Sequence, residues 1–130
     1  MFPFDEEELL IALRRLGDKY LNKQYRHLWS SDNPAAGYCA IVCRFIVMAD
    51  LMPPGYSVYR ERYSNGDSHY YFEHEATGRQ LDLTMSQFGR HIIHQGQPLR
   101  TWMPQVNKGV YALAEELGYP VDDSRKMLKY

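Results

Sequence analysis

The sequence predicts an α+β fold, in which N-terminal helices and a buried central helix pack on a small antiparallel β-meander. Apolar residues recur at helical intervals in the first part of the chain, and the period becomes that of strands at Tyr56. Helical spacing returns near the C-terminus, so helices and strands are segregated along the chain as in the α+β class. The 130 residues contain no internal repeat and no linker, and we expect one domain spanning 1–130.

The first part of the chain is predicted to contain two helices. Asp5 and Glu8 have the spacing of a capping box, so the first helix is expected to start near residue 5 and to end at Gly17 or a few residues beyond it. Turn-forming residues over 30–34 indicate a loop. The apolar run 37–51 exceeds the usual length of a strand, and it is predicted to be the buried central helix.

The middle of the chain is predicted to form a three-stranded meander. The strands are expected at 56–63, 68–74 and 80–84. Asn65-Gly66 is a strong hairpin signal between the first two strands. A four-residue turn over 75–78 would then pair Phe72 with Leu81 in the second hairpin.

The C-terminal third is predicted to combine a loop with a helix. Gly and Pro residues over 88–104 indicate a long loop that covers the meander, with a helical turn starting at Ser86. Val110 and Leu113 belong to a last helical stripe, which is expected to stop at Gly118.

Composition excludes several classes of protein. Hydrophobic residues make up 45% of the chain, and 15 Lys and Arg against 16 Asp and Glu leave a net charge of -1, which argues against disorder and against nucleic-acid binding. The chain has no apolar run of about 18 residues, and its first residues lack the pattern of a signal peptide. We therefore expect a cytoplasmic protein with no membrane partner.

Two cysteines, Cys39 and Cys43, lie four residues apart in the predicted central helix, where the geometry suits a disulfide poorly. We interpret both as thiols, as in a reducing compartment. Cys43 is interpreted as a packing residue, because cysteines are often buried in apolar helices. Cys39 follows Gly37 at the expected helix start, where unpaired N–H groups and the helix dipole favour the thiolate, which is the nucleophilic form.

A base and an acid on the predicted sheet complete a pattern for nucleophilic catalysis. His69 and Asp82 fall on the same face in the predicted register, as diagonal neighbours on adjacent strands. If the central helix covers that face, Cys39 would be the nucleophile, His69 the base and Asp82 the group that orients the imidazole.

Three segments resemble those of a known family. They are Asn33-Pro34-Ala35-Ala36-Gly37-Tyr38-Cys39-Ala40, Ser68-His69-Tyr70 and Leu81-Asp82-Leu83-Thr84-Met85-Ser86-Gln87-Phe88. In this order they resemble the YunG-like family of small bacterial proteins, over roughly residues 28–88. The resemblance implies a papain-like or transglutaminase-like minimal core, with Cys39, His69 and Asp82 in the equivalent places.

Four more residues are candidates for oxyanion stabilisation or substrate binding: Asn33, Tyr38, Tyr71 and Trp102. The Asn33 amide could donate to an oxyanion alongside the Cys39 N–H, and its place before a proline is explained equally well by a turn. Tyr71 is one of several tyrosines that could line a peptide groove, and strand preference accounts for most of these without a function.

Metal binding is a second chemical interpretation. The candidate ligands are Cys39, Cys43, His69, His74, His91 and His94. No CxxC pair and no HExxH motif is present, and His69 and His74 fall on opposite faces of their strand. His91 and His94 are interpreted as surface-loop residues. We therefore expect no metal and no cofactor.

The leading hypothesis is a small thiol-dependent acyl-transfer enzyme: a cysteine peptidase, an amidase or a transglutaminase-like protein. Its substrate would be a peptide, an amide or a thioester. The alternative is a non-catalytic protein-binding or regulatory module on the same scaffold, in which Tyr71 or Trp102 contacts a protein partner. The two hypotheses differ in whether the function needs Cys39.

Overall fold

The computed structural model of this 130-residue chain describes residues 2–100 and 108–125. Its mixed α+β architecture confirms the predicted fold class, with helices packed on a small four-stranded antiparallel sheet. The α-helices are α1 (Glu6–Leu16), α2 (Cys39–Met48) and α3 (Lys108–Leu117). The strands are β1 (Tyr56–Arg62), β2 (Ser68–His74), β3 (Gln80–Leu81) and β4 (Gln97–Pro98). Short 3₁₀ helices lie at Lys23–Leu28, Met85–Phe88 and Asp123–Arg125.

Helix α1 starts where the sequence predicts. The Asp5 carboxylate accepts a hydrogen bond from the N–H of Glu8 at 2.8 Å, and the Glu8 carboxylate accepts one from the N–H of Asp5 at 3.3 Å, which confirms the capping box. Gly17, with a φ of 68°, ends the helix. Leu9 and Leu13 have no exposed surface, so the apolar stripe of α1 lies in the core.

Helix α2 is the predicted buried central helix, with narrower bounds than the apolar run. It begins at Cys39, because Gly37 adopts a φ of 81° that interrupts helical backbone just before it. Phe45 and Ile46 are fully buried, and the helix packs against α3 and β2. Within residues 2–100 and 108–125, no helix has the length and hydropathy needed to cross a membrane.

The sheet has the strand order β3-β2-β1-β4, with every neighbouring pair antiparallel. The predicted register of the second hairpin is confirmed. The N–H of His74 donates to the carbonyl of Arg79 at 2.8 Å across the turn, and Phe72 pairs with Leu81.

Two strands differ from the prediction. Strand β3 ends at Leu81, because the Asp82 side chain accepts a hydrogen bond from the N–H of Thr84 and turns the chain towards the next 3₁₀ helix. Strand β4 pairs with β1 and was not expected from the pattern. Two residues that end in a proline carry no strand periodicity, so only the tertiary pairing reveals this strand.

The two faces of the sheet have different coverings. The core that contains the apolar residues of α2 receives three side chains from the sheet: Val58, Tyr70 and Phe72. On the other face, the rings of His69 and Tyr71 contact His94, which belongs to the loop 89–96. The condition that the central helix covers the His69 face is therefore wrong. Residues 89–96 of the predicted covering loop lie there instead, and α2 meets His69 through its first residue, Cys39.

Candidate functional site

A cavity of about 700 Å³ opens beside the N-terminal end of α2. Its lining combines aromatic rings with two residues of the predicted site and includes Cys39, Arg44, Tyr63, His69, Tyr70 and Phe88. Cys39 is 9% exposed and His69 is 2% exposed. Cys39 and His69 therefore border the cavity, each with only a small exposed area.

The local backbone determines the position of Cys39. Gly37 turns the chain with its positive φ, and Tyr38 precedes the helix without capping it by a side-chain hydrogen bond. The first N–H groups of a helix have no partner within the helix. Cys39 thus lies where amide groups and the helix dipole favour negative charge.

The two ring nitrogens of His69 have different partners. Nε2 lies 2.6 Å from Oδ2 of Asp82. A carboxylate only accepts hydrogen bonds, so Nε2 carries the hydrogen and Nδ1 remains for a second partner. The side chain of Cys39 also interacts with this imidazole, because it is one of the causes that raise the pKa of His69.

These contacts change the acidity of His69. Burial lowers the pKa of the imidazole, but the hydrogen bonds with Asp82 and Cys39 outweigh burial and raise the pKa to about 9. An imidazole with this pKa holds a proton at neutral pH. It is therefore able to donate that proton to a group that leaves from a substrate.

Asp82 is a buried carboxylate, and each of its two oxygens has two hydrogen-bonding partners. Its side chain is 1% exposed. Oδ1 accepts from the N–H of Thr84 at 2.9 Å and from the Thr84 hydroxyl at 3.1 Å, while Oδ2 faces two imidazoles. Burial raises the pKa of Asp82, but the hydrogen bonds from His69 and His94 more than offset this and hold the pKa well below its usual range. The carboxylate is thus ionised and fixed in one orientation.

His94 lies in the candidate site, although the sequence places it there only as a possible metal ligand. The sequence pattern suggests a surface-loop histidine, and this is wrong, because the side chain has no exposed surface. Nε2 lies 2.7 Å from Oδ2 of Asp82, and Nδ1 lies 3.3 Å from Oε1 of Glu61. No residue spacing relates position 94 to the strands, so tertiary contacts alone place it here.

Three groups are close enough to be considered as metal ligands: the imidazoles of His69 and His94 and the carboxylate of Asp82. One possible ligand atom from each lies within 4.8 Å of the others. The two Nε2–Oδ2 separations of 2.6 and 2.7 Å are hydrogen-bond lengths. Two ligand atoms bound to one tetrahedral zinc ion lie about 3.3 Å apart, given bonds of about 2.0 Å. The arrangement is therefore a hydrogen-bonded one.

Three of the other candidate ligands, Cys43, His74 and His91, lie apart from this group. Cys43 is in the core, and burial raises its pKa well above that of an ordinary thiol, which fits a packing role. The ring of His74 packs edge-on against Tyr56, with ring centroids 5.0 Å apart. His91 is exposed. Both cysteines are free thiols, as the sequence predicts.

Two of the candidate binding residues make structural contacts outside the cavity. The side-chain amide of Asn33 donates to the carbonyl of Gln87 at 3.2 Å and so joins the loop before α2 to the 3₁₀ helix at Met85–Phe88. Tyr38 has no exposed surface, and its hydroxyl donates to the carbonyl of Gly17 at 2.7 Å. Neither residue lines the cavity.

Tyr71 also differs from the expected groove residue. It is fully buried, and its hydroxyl accepts a hydrogen bond from the N–H of Gly96 at 2.8 Å. Its ring centroid lies 4.5 Å from that of His94. Tyr71 therefore packs against the rings of His69 and His94 instead of contacting a ligand. Trp102 lies outside the described residues.

Comparison with protein families agrees with the resemblance seen in the sequence. A family model described as YunG protein matches residues 6–116. The matched region runs from the first residue of α1 to within one residue of the end of α3 and contains the whole sheet. No curated protein and no solved structure matches the chain.

Proposed function

The chain belongs to the YunG family, and we propose that it is a small thiol-dependent acyl-transfer enzyme with Cys39 as nucleophile and His69 as proton carrier. One observation carries the proposal: His69 bonds Asp82 at 2.6 Å and interacts with the Cys39 side chain, and both Cys39 and His69 line one cavity. A nucleophile, a base and an orienting group linked in this order are the parts that cysteine hydrolases and acyltransferases use.

In the first half of the proposed reaction, the one proton shared by Cys39 and His69 lies on Nδ1 of His69, and the sulfur attacks the carbonyl carbon of the substrate. A C–S bond forms, and the π electrons of the carbonyl move to oxygen. His69 then donates the proton to the leaving nitrogen of an amide, or to the leaving sulfur of a thioester. The bond to the leaving group breaks, and the acyl group stays on Cys39.

In the second half, water or an amine replaces the leaving group. His69 takes a proton from this nucleophile as it attacks the acyl carbon, and the bond between sulfur and acyl carbon breaks. The electron pair returns to sulfur, which regains a proton from His69. Attack by water gives hydrolysis, and attack by an amine gives acyl transfer. Asp82 stays ionised throughout and positions the ring.

The helix N-terminus supports the charged intermediate. The backbone N–H of Cys39 belongs to the first turn of α2, and donors of this kind stabilise a developing oxyanion. Asn33 has no part in this proposal, because its amide is bonded to Gln87. The backbone and the dipole of α2 take that role instead.

The cavity suggests the class of substrate. Tyr63, Tyr70 and Phe88 offer flat apolar surface next to Cys39, and Arg44 adds a guanidinium. Burial lowers the pKa of Arg44 to about 10, so the group is still charged at neutral pH. A peptide, amide or thioester with an apolar acyl portion fits such a lining. We also propose a cytoplasmic location, because both cysteines are free thiols.

Acyl-enzyme capture tests the proposal. Protein at pH 6 is treated with an aryl thioester of an N-acetylated aromatic amino acid and, separately, with chloroacetamide, and the adducts are located by peptide mass spectrometry. We expect both reagents to modify Cys39 in the wild type and to modify nothing in Cys39→Ala. Cys43→Ala is the matched control, four residues along the same helix, and is expected to react like the wild type. Equal modification of both cysteines, or none, would contradict the proposal.

The alternative function is a non-catalytic binding module. The observation in its favour is the aromatic lining of the cavity, since aromatic side chains dominate many binding sites. Such a module would keep its cellular role in Cys39→Ala and lose it in Tyr63→Ala. Loss of function in Cys39→Ala with an unchanged fold supports the enzyme instead.

A further inference from the structure

The loop that carries His94 is attached to the sheet at defined points. The side chain of Gln80 accepts from the N–H of His94 at 2.8 Å and donates to its carbonyl at 2.7 Å. The N–H of Gly96 donates to the Tyr71 hydroxyl at 2.8 Å. These bonds fix the backbone at His94 and at Gly96, and so hold the His94 ring in one position beside the sheet.

Charged and titratable groups from every neighbouring strand surround the His94 ring. Glu61 faces Nδ1 from β1, His69 and Tyr71 lie against the ring from β2, and Asp82 faces Nε2 just after β3. Carboxylates only accept hydrogen bonds, so His94 donates to Asp82. The same oxygen of Asp82 therefore receives one hydrogen bond from His69 and one from His94.

Sharing one oxygen changes what each imidazole gains from the carboxylate. A second donor delocalises the negative charge of Asp82 and weakens its attraction for the first donor. We infer that His94 is a positioning residue, which shares the Asp82 carboxylate with His69 and so limits how tightly the site holds the His69 proton. The importance of His94 for catalysis rests on the proposed function, in which His69 must release that proton to the leaving group.

If His94 has this role, its removal should raise the pKa of His69, which a role in packing alone does not predict. Without the second donor, Asp82 interacts more strongly with His69, and the imidazolium form of His69 persists to higher pH. The pKa of His69 already stands at about 9, raised by Asp82 and by Cys39 from α2. A structural residue would change the stability of the fold and leave the titration of His69 in the folded protein as it was.

The test is a ¹⁵N NMR titration of His69 in the full chain. In His94→Phe, which keeps a ring but cannot donate to Asp82, we expect the midpoint to rise by about one pH unit. His94→Gln can place an amide donor near the position of Nε2, and it should bring the midpoint back towards that of the wild type. His91→Phe is the matched control, an exposed histidine of the same loop, and should leave the midpoint unchanged.

An unchanged or lower midpoint in His94→Phe would overturn the inference. If that variant does not fold, His94→Asn replaces it. Its shorter side chain reaches the position of Nδ1 beside Glu61 but not that of Nε2 beside Asp82, so the same rise is expected. Native mass spectrometry provides an independent check: one zinc ion per chain, lost on changing His94, would overturn the inference by making the three groups ligands. Cys39 labelling in the same samples reports on the proposed function separately, since the titration of His69 needs no catalysis.

Discussion

Replacing Asp82 by Asn is the most informative change in the proposed site. The substitution keeps the size of the side chain but removes the charge that two imidazoles share. In the wild type the pKa of His69 is raised from 6.5 to about 9. A rise of this size corresponds to about 3 kcal/mol in favour of the imidazolium form. Because burial opposes the rise, Asp82 and Cys39 together contribute more than this net amount.

Without the carboxylate, burial dominates, and the pKa of His69 falls towards or below its ordinary value. His69 then accepts the Cys39 proton less readily. We expect the second-order rate constant for alkylation of Cys39 by iodoacetamide at pH 6 to fall by up to about 100-fold, the equivalent of about 3 kcal/mol. The assay follows the increase in mass of the intact protein with time. All variants also carry Cys43→Ser, so that Cys39 is the one thiol that can react.

Asp32→Asn is the control, an exposed aspartate of the loop before α2. It should alkylate at the wild-type rate. A folded Asp82→Asn protein that reacts as fast as the wild type at pH 6 would refute the reasoning, because Asp82 would then have no influence on the pair of Cys39 and His69. Circular dichroism at the same pH shows whether the variant is folded.

Three further predictions concern stability. In Gly96→Ala the new Cβ would lie 2.5 Å from the Tyr71 hydroxyl and 2.7 Å from the Arg60 carbonyl. We therefore expect the free energy of unfolding, measured in urea, to fall by about 1–3 kcal/mol. The control is Gln95→Ala at the exposed neighbouring position, which should leave this free energy unchanged. Tyr38→Phe removes the donor to the Gly17 carbonyl and should cost about 1 kcal/mol without slowing Cys39 labelling; slower labelling would show that Tyr38 acts in the site. The raised pKa of His69 contributes stability that is complete below pH 6.5 and is lost as the pH rises through about 9. The lowered pKa of Asp82 contributes stability that is present above pH 3.8, its ordinary pKa, and is lost as the pH falls below that value. The urea concentration at the unfolding midpoint should therefore decline both below about pH 3.8 and above pH 6.5. The decline should be less steep in Asp82→Asn.

Local rules predict the parts of the site that depend on local geometry. The alternation of side chains along β2, with the length of the turn after it, places His69 and Asp82 on one face, and the structure joins them at 2.6 Å. The capping box of α1 and the hairpin register also follow from short spacings.

The sequence does not predict which face of the sheet the central helix covers. Alternation separates His69 and Tyr71 from Tyr70 and Phe72, and both sets are rich in rings. The helix packs on the Phe72 side because those side chains are the more apolar, whereas His69 carries a hydrogen-bonding ring. His94 lies beyond any local rule as well, because its position depends on bonds from Gln80 and Asp82 to a loop without periodicity.

The proposed chemistry depends on a proton shared by Cys39 and His69. The most direct measurement is the ¹⁵N titration midpoint of His69 before and after Cys39 is blocked with a methylthio group. We predict a midpoint of about 9 in the unmodified protein and a clear fall after blocking, because the Cys39 hydrogen bond contributes to the raised pKa of His69. A midpoint near the ordinary value of 6.5 in both samples would contradict the account, since Cys39 and His69 would then titrate independently.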